Sequence, residues 1–282
     1  VRSQKYLIAA AILSTVVVGA TGCSSSSSSS SDAAVGATSG GVTTITVGAT
    51  FPADDILNYV EQSQAAAAGL DITVTSFTDY TTPNTALEDG SLDANLYQHL
   101  PFLNNFNTNN GTHIAPVGKV YFPALALYSK TIKSVDDIQN GATISIPNDP
   151  TNELRSLNLL QKAGLITLNE GATGVVGDIA TNPKNLVFQE LDAATLPRAL
   201  DENVAGIANL SFALPAGLTG DQQILTEDVD GTLYTNLLAT KEGHENDPAI
   251  QKLYELLTSK QTQDWITSEY KGLVLPSSGP AS

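Results

Sequence analysis

The sequence predicts an α/β fold of mixed, mostly parallel sheets arranged in two lobes. Three observations predict it. From Thr43 onward, short β-branched and aliphatic runs alternate with stretches of helical periodicity, and repeated strand–helix units build parallel sheets covered on both faces. The alternation continues nearly to the C-terminus, which is too long for one ordinary sheet. Two extended segments, 124–128 and 234–239, suit crossings between lobes.

Each element has its own signal. Residues 44–47 are a β-branched run ended by Gly48, read as the first strand. Residues 53–68 read as a helix, with Ile56, Tyr59 and Val60 on one face and Gly69 as the stop. A strand at 72–75, a short helix at 84–89, a strand at 92–96 and a helix at 99–107 follow. Next come a strand at 142–146 and a helix at 150–163. That helix is opened by Asp149 and Pro150, an aspartate cap followed by a proline suited to the first helical position. Strands at 186–190 and 206–208 flank a helix at 194–200, and helices near 248–258 and 261–270 end the chain.

Ahead of this region, Arg2 and Lys5 precede an apolar run that ends in Ala20, Thr21 and Gly22, just before Cys23. A basic start, an apolar stretch and small exit residues predict a secretory signal peptide over 1–22. The run of about 15 residues is shorter than the roughly 20 that span a bilayer. Cys23 is the single cysteine, so no intramolecular disulfide can form. The Gly-Cys junction resembles a bacterial lipobox, with Ala20 where leucine is usual, and Cys23 is read as the lipid acceptor. The serine run from Ser24 to Ser31 and the small polar residues after it, 23–43 in all, are expected to form a flexible tether. About twenty such residues reach on the order of 25 Å.

The formal net charge is −16, and −18 without the two leader cations. Such a surface repels nucleic acid, so no nucleic-acid partner is expected. His99, His113 and His244 are scattered without metal-ligand spacing, so no metal is expected. There is no GxSxG, Cys–His pair or phosphate-binding glycine loop. Asp54 and Asp55 sit at a helix start, where acids serve the dipole. No catalytic residue, enzyme activity or cofactor is therefore expected.

What remains points to binding. Eight of the seventeen aromatic residues lie between Phe77 and Tyr128, where an even spread would put about three. Phe106, Phe122 and Tyr128 read as core. Phe77, Tyr80, Tyr97 and Phe102 fall at strand ends and in the loops after them, where a cleft is lined in open α/β sheets. Aromatic faces suit a polarizable thioether. Arginine is scarce, and Arg155 lies in the first turns of the helix opened by Asp149. There a guanidinium can form a two-pronged pair with a carboxylate; a surface ion pair is the alternative.

Five blocks stand in order: Phe77-Thr78-Asp79-Tyr80, Pro83-Asn84-Thr85-Ala86-Leu87, Gln98-His99, Gly118-Lys119-Val120 and Asn148-Asp149-Pro150-Thr151-Asn152. Behind a lipoprotein-style leader, they resemble the NLPA-type methionine-binding lipoproteins, substrate-binding subunits of ABC importers. The resemblance covers about 44–276. It implies a two-lobed, type II periplasmic-binding-protein-like fold, with lobe one at about 44–125 plus 236–282 and lobe two at about 126–235. It implies a monomer, anchored through Cys23 at the outer face of the cytoplasmic membrane or facing the periplasm. Its ligand would be L-methionine or a related amino acid, and its partners an ABC permease and ATPase. In this family the residue matching Arg155 clamps the ligand carboxylate, His99 borders the side-chain pocket, and Asn209 and Asn236 are ligand contacts. Where the family commonly has Asn-Gly-Asn-Tyr, this chain has Asn209-Leu210-Ser211-Phe212, which leaves room for a methionyl dipeptide or another apolar amino acid. A surface adhesion or interaction lipoprotein, with the serine run as a stalk, is the alternative of a different class.

Overall fold

The computed structural model describes residues 34–228 and 232–281. The expected signal peptide, Cys23 and the serine run lie outside the described residues. In chain order, a hairpin of β1 (Ala37–Ser39) and β2 (Val42–Ala49) leads into α1 (Ala53–Val60). The chain then runs through β3 (Leu70–Ser76), α2 (Thr82–Glu88), β4 (Ala94–His99), α3 (Leu100–Asn110) and β5 (Ile114–Pro123). It continues through β6 (Ala126–Tyr128), β7 (Thr143–Pro147) and α4 (Pro150–Lys162) to a small hairpin of β8 (Thr167–Leu168) and β9 (Ile179–Thr181). Next are β10 (Val187–Leu191), α5 (Leu196–Ala199), β11 (Ala205–Ala208), α6 (Leu210–Ala213) and β12 (Gln223–Thr226). Last come β13 (Asn236–Lys241), α7 (Pro248–Leu257), α8 (Lys260–Tyr270) and β14 (Val274–Pro276).

Two main sheets result. One has the order β1-β2-β4-β13-β5-β14 with β3 on the other edge of β2, and the second has the order β10-β7-β11-β6-β12. The chain leaves the first sheet after β5 and re-enters it as β13, between β4 and β5. Parallel pairing is confined to β2 with β3 and β4, and to β7 with β10 and β11. Those are strands joined through helices, as parallel neighbours require. The remaining ladders are antiparallel, so the sheets are more mixed than the mostly parallel expectation.

The first sheet buries Ile45, Val47, Val120 and Tyr121 against Ile56 and Leu57 of α1, Leu253 of α7 and Ile266 of α8. The second buries Ile144, Ile146 and Ile207 against Leu157 and Leu160 of α4. Leu210, at the start of α6, and Leu214, just past its end, leave the second sheet's neighbourhood and join the first sheet's core. That contact presses α6 against the first sheet and fixes the residue before it, Asn209.

Several elements depart from the sequence reading. The helix expected over 53–68 is α1 followed by a π-helical turn and a 3₁₀ turn that ends at Gly69 in the left-handed region. The strand expected at 92–96 sits further on, at Ala94–His99. Part of the expected tether is structured: Ala37–Ser39 pairs with Val42–Thr44, and the Val35 N–H donates to Asp247 Oδ2 at 2.9 Å. Strand β5 was not anticipated, because Pro116 and Gly118 interrupt its alternation. Gly118 is needed there, since a Cβ would lie 2.5 Å from the Tyr254 ring. Among the described residues, no helix is long and apolar enough to cross a membrane.

Candidate functional site

A small cavity lies where β4, α4 and α6 meet. Three rings wall one side: Tyr80, Tyr97 and Phe102, with centroids 5.9 to 6.0 Å apart. Phe212 of α6 closes on Tyr80 at 4.8 Å. Burial raises the pKa of both tyrosines, so the hydroxyls keep their protons. Tyr97 donates to the Tyr80 carbonyl at 3.1 Å, and Ser211 stands beside the Tyr80 ring in the cavity wall. Behind the rings, a buried amide network ties α2 to β4. Asn84 Nδ2 donates to Gln98 Oε1 at 2.8 Å, while Asn84 Oδ1 accepts from Gln98 and from Asn95. These buried polar groups satisfy one another, which is what makes the network rigid.

The start of α4 fixes the polar end of the cavity. Asp149 caps the helix by accepting the Asn152 N–H at 2.9 Å, and both of its oxygens accept from Asn152 Nδ2. Because the carboxylate oxygens only accept, the Asn152 amide can point one way only. Its Oδ1 therefore faces the cavity, taking Asn209 Nδ2 at 3.0 Å and lying 3.3 Å from His99 Nε2. The Phe102 N–H donates to His99 Nδ1 at 3.2 Å, so the proton of the neutral imidazole sits on Nε2. Burial, and then nearby Arg155, push the His99 pKa down to about 3. With its nitrogen occupied, Asn209 is left with Oδ1 buried and without a partner, in a residue 7% exposed. A buried acceptor in that state calls for a donor. Asn236 spends its amide hydrogens on the Tyr97 carbonyl and the Tyr121 hydroxyl, each at 2.9 Å, so it too offers an oxygen.

Arg155 is 2% exposed, on the same face of α4 as Asn152. It lies between the rings of Tyr234 at 4.5 Å and Phe122 at 5.7 Å. Its two-pronged edge is already taken, by a residue of this chain. Nε donates to Glu227 Oε1 at 3.0 Å, and Nη2 donates to Glu227 and to the Pro123 carbonyl. Among the described residues, Nη1 makes no hydrogen bond. The edge expected to fork onto a ligand carboxylate is thus occupied by Glu227 in this structure.

Seven of the eight expected contacts come together here: Tyr80, Tyr97, His99, Phe102, Arg155, Asn209 and Asn236 all line the cavity. Phe77 does not. At the end of β3 its ring turns to the opposite side, packing near Leu92 and Gly48 in a separate apolar cluster. Asn152, Gln98, Leu210 and Ser211 also line the cavity, and Glu227 stands behind it. Asn152 and Gln98 fall inside the sequence blocks quoted above. Glu227 has no local signal at all. Among the described residues, no group of histidine, cysteine and acidic side chains could hold a metal.

With the geometry established, the chain compares with known proteins as follows. The NlpA lipoprotein family matches residues 45–278. A probable D-methionine-binding lipoprotein MetQ of Vibrio cholerae is 45% identical over 184 residues, 64% of this chain and 68% of that protein. A nutrient binding protein from Burkholderia cenocepacia, solved bound to methionine, superposes with a TM-score of 0.80. It is 37% identical, over 83% of this chain and 99% of that one. An ABC transporter periplasmic substrate-binding protein from Coxiella burnetii, also 37% identical, superposes at 0.79 over 83% and 100%. With a match that spans both sheets, the chain belongs to the NlpA lipoprotein family, MetQ-like substrate-binding lipoproteins of ABC transporters rather than enzymes.

Proposed function

We propose that the chain captures L-methionine in this cavity and delivers it to a membrane permease driven by an ATPase. The observation that carries the reading is the pairing, in one cavity, of a buried guanidinium and a buried, unpartnered amide oxygen beside an aromatic box. Arg155 Nη1 suits an α-carboxylate. The oxygens of Asn209 and Asn236 suit an α-ammonium. The rings of Tyr80, Tyr97 and Phe102 suit a thioether, each sulfur–ring contact contributing roughly 0.3–1.5 kcal/mol. A methionine-bound relative with the same fold supports the ligand class. In this reading Cys23 carries the lipid, and the serine-rich tether lets the body work beside the permease as a monomer.

The test is to strip bound ligand by unfolding and refolding the purified protein, then titrate it calorimetrically. L-methionine, D-methionine, glycyl-methionine and the other amino acids are the probes. Saturable, tightest binding of L-methionine is the expected result. Tightest binding of a dipeptide or another amino acid would keep the capture role and replace the ligand. Silence towards every probe would favour the surface-interaction reading.

A further inference from the structure

Glu227 follows β12 and is separated by 72 positions from Arg155, which it meets across the fold. Its position is fixed from two sides. Besides the guanidinium, Glu227 Oε2 accepts the Leu125 N–H at 3.1 Å, and the Glu227 N–H donates to the Leu125 carbonyl at 2.8 Å. The side chain is 17% exposed against 2% for its partner. This is a braced, largely desolvated pair, unlike the swinging ion pairs of a surface. Glu227 is absent from the cavity wall and borders a second hollow on the far side of Arg155, together with Tyr234 and Leu159.

The charge balance of the site follows from this placement. Arg155 is the one charged side chain lining the cavity among the described residues. His99 stays neutral with a pKa near 3, and the tyrosine hydroxyls keep their protons. With Glu227 behind it, Arg155 contributes donors without contributing net charge. The Asp149 carboxylate, behind Asn152, adds a negative charge that acts on the same tyrosines, so the site carries no excess positive charge and complements a zwitterion over a lone anion. A lone buried arginine would instead favour any carboxylate anion of suitable shape.

We propose that Glu227 is a specificity-determining residue that makes the cavity select net-neutral amino-acid zwitterions over simple carboxylate anions. It does so by occupying the Nε–Nη2 edge of Arg155 and cancelling its charge, which leaves Nη1 to meet the ligand. The proposal rests on the amino-acid reading given above and extends it from ligand class to the origin of selectivity. The unpartnered Asn209 oxygen favours the zwitterion independently, since an ammonium fills it and an anion lacking one cannot, so the role of Glu227 is read from the change in preference on its substitution.

The test uses three probes with one side chain: L-methionine, its amide (a cation) and 4-(methylthio)butanoate (an anion without the ammonium). Binding is measured by calorimetry on the refolded wild type, Glu227→Gln and Glu227→Asp. Wild type is expected to prefer methionine to the anion. Glu227→Gln should cut that preference by about tenfold or more, equivalent to about 1.4 kcal/mol, and should bind the amide most weakly. Glu227→Asp keeps the charge and should keep the preference even where it weakens all three probes. A merely structural role would weaken the probes alike, and an unchanged preference in Glu227→Gln would overturn the proposal. Should that variant not fold, two results still decide: wild type binding the anion as tightly as methionine, or Glu227→Asp losing the preference, overturns it. If no probe binds wild type, the amino-acid reading itself fails and takes this inference with it. Methionine binding with an unchanged preference overturns only the role of Glu227.

Discussion

Arg155 shows how far single residues can be read before a structure is known. Its scarcity and its place after an Asp-Pro helix start made it a candidate, and the structure puts it in the cavity wall. The partner that governs it, Glu227, could not be read, because nothing in the local pattern around 227 marks a residue bound to another element. Phe77 illustrates the converse error. One residue past the end of β3, it packs into a separate apolar cluster with Leu92, while Tyr80, Tyr97 and Phe102 line the cavity. Arg155→Ala is expected to weaken methionine binding by about 2–5 kcal/mol, because it deletes the cation and leaves the Glu227 carboxylate unpaired. Calorimetry checks it, and unchanged affinity would remove Arg155 from the site. His99 gives a pH prediction. The folded protein holds it near 3, whereas an unfolded histidine titrates at about 6.5. Between those values the unfolded chain binds the extra proton, so the contribution is intact above about 6.5 and is lost as pH falls towards 3. Denaturant midpoints from pH 7 down to 4 should therefore fall less steeply in His99→Gln than in wild type. Parallel slopes would place the acid sensitivity elsewhere.

At the scale of elements, legibility followed local chemistry. Helix α4 was readable to within a residue because Asp149 and Pro150 write its start into the sequence, and the same cap orients Asn152 and then Asn209. Strand β5 was unreadable because Pro116 and Gly118 serve tertiary needs, among them the close approach of Tyr254. Helix α4 also carries a tension of its own. Glu153 is buried, accepts the Val176 N–H at 2.9 Å and lies near the Glu190 carboxyl. Burial first, and then Glu190, lift its pKa to about 7. Here the folded state holds the proton longer than the unfolded chain does. The stability contributed by protonated Glu153 is present below about 4.5 and is lost as pH rises through 7. Glu153→Gln, which keeps an acceptor for Val176 and offers a donor to Glu190, should match wild type at pH 5 and exceed its thermal midpoint at pH 8. Equal midpoints at both values would show that the two carboxyls do not share a proton in solution.

For the whole molecule, the proposed ligand site and the packing of one sheet's elements on the other are joined at a single dipeptide. Asn209 presents its oxygen to the cavity, and Leu210 next to it is buried in the first sheet's core, 2% exposed. Any motion that withdraws α6 must expose Leu210 and Leu214 and separate Phe212 from Tyr80. Burying one such leucine contributes about 1.5–3 kcal/mol. That apolar contact holds α6 in this closed arrangement, and in the function proposed above a ligand ammonium at the Asn209 acceptor would add to the bias. Leu210→Gly removes this contact while leaving the backbone path open. Ligand-free Leu210→Gly should populate open forms, seen by small-angle scattering as a larger radius of gyration than wild type. Saturating methionine should restore the compact value. Its apparent affinity should fall in proportion to the smaller closed fraction, since a ligand that needs one state is weakened by that state's scarcity. If the ligand-free radius and the affinity both stay at wild-type values, Leu210 is mere packing and closure is set elsewhere. A changed affinity at constant radius would instead make Leu210 a wall of the cavity alone.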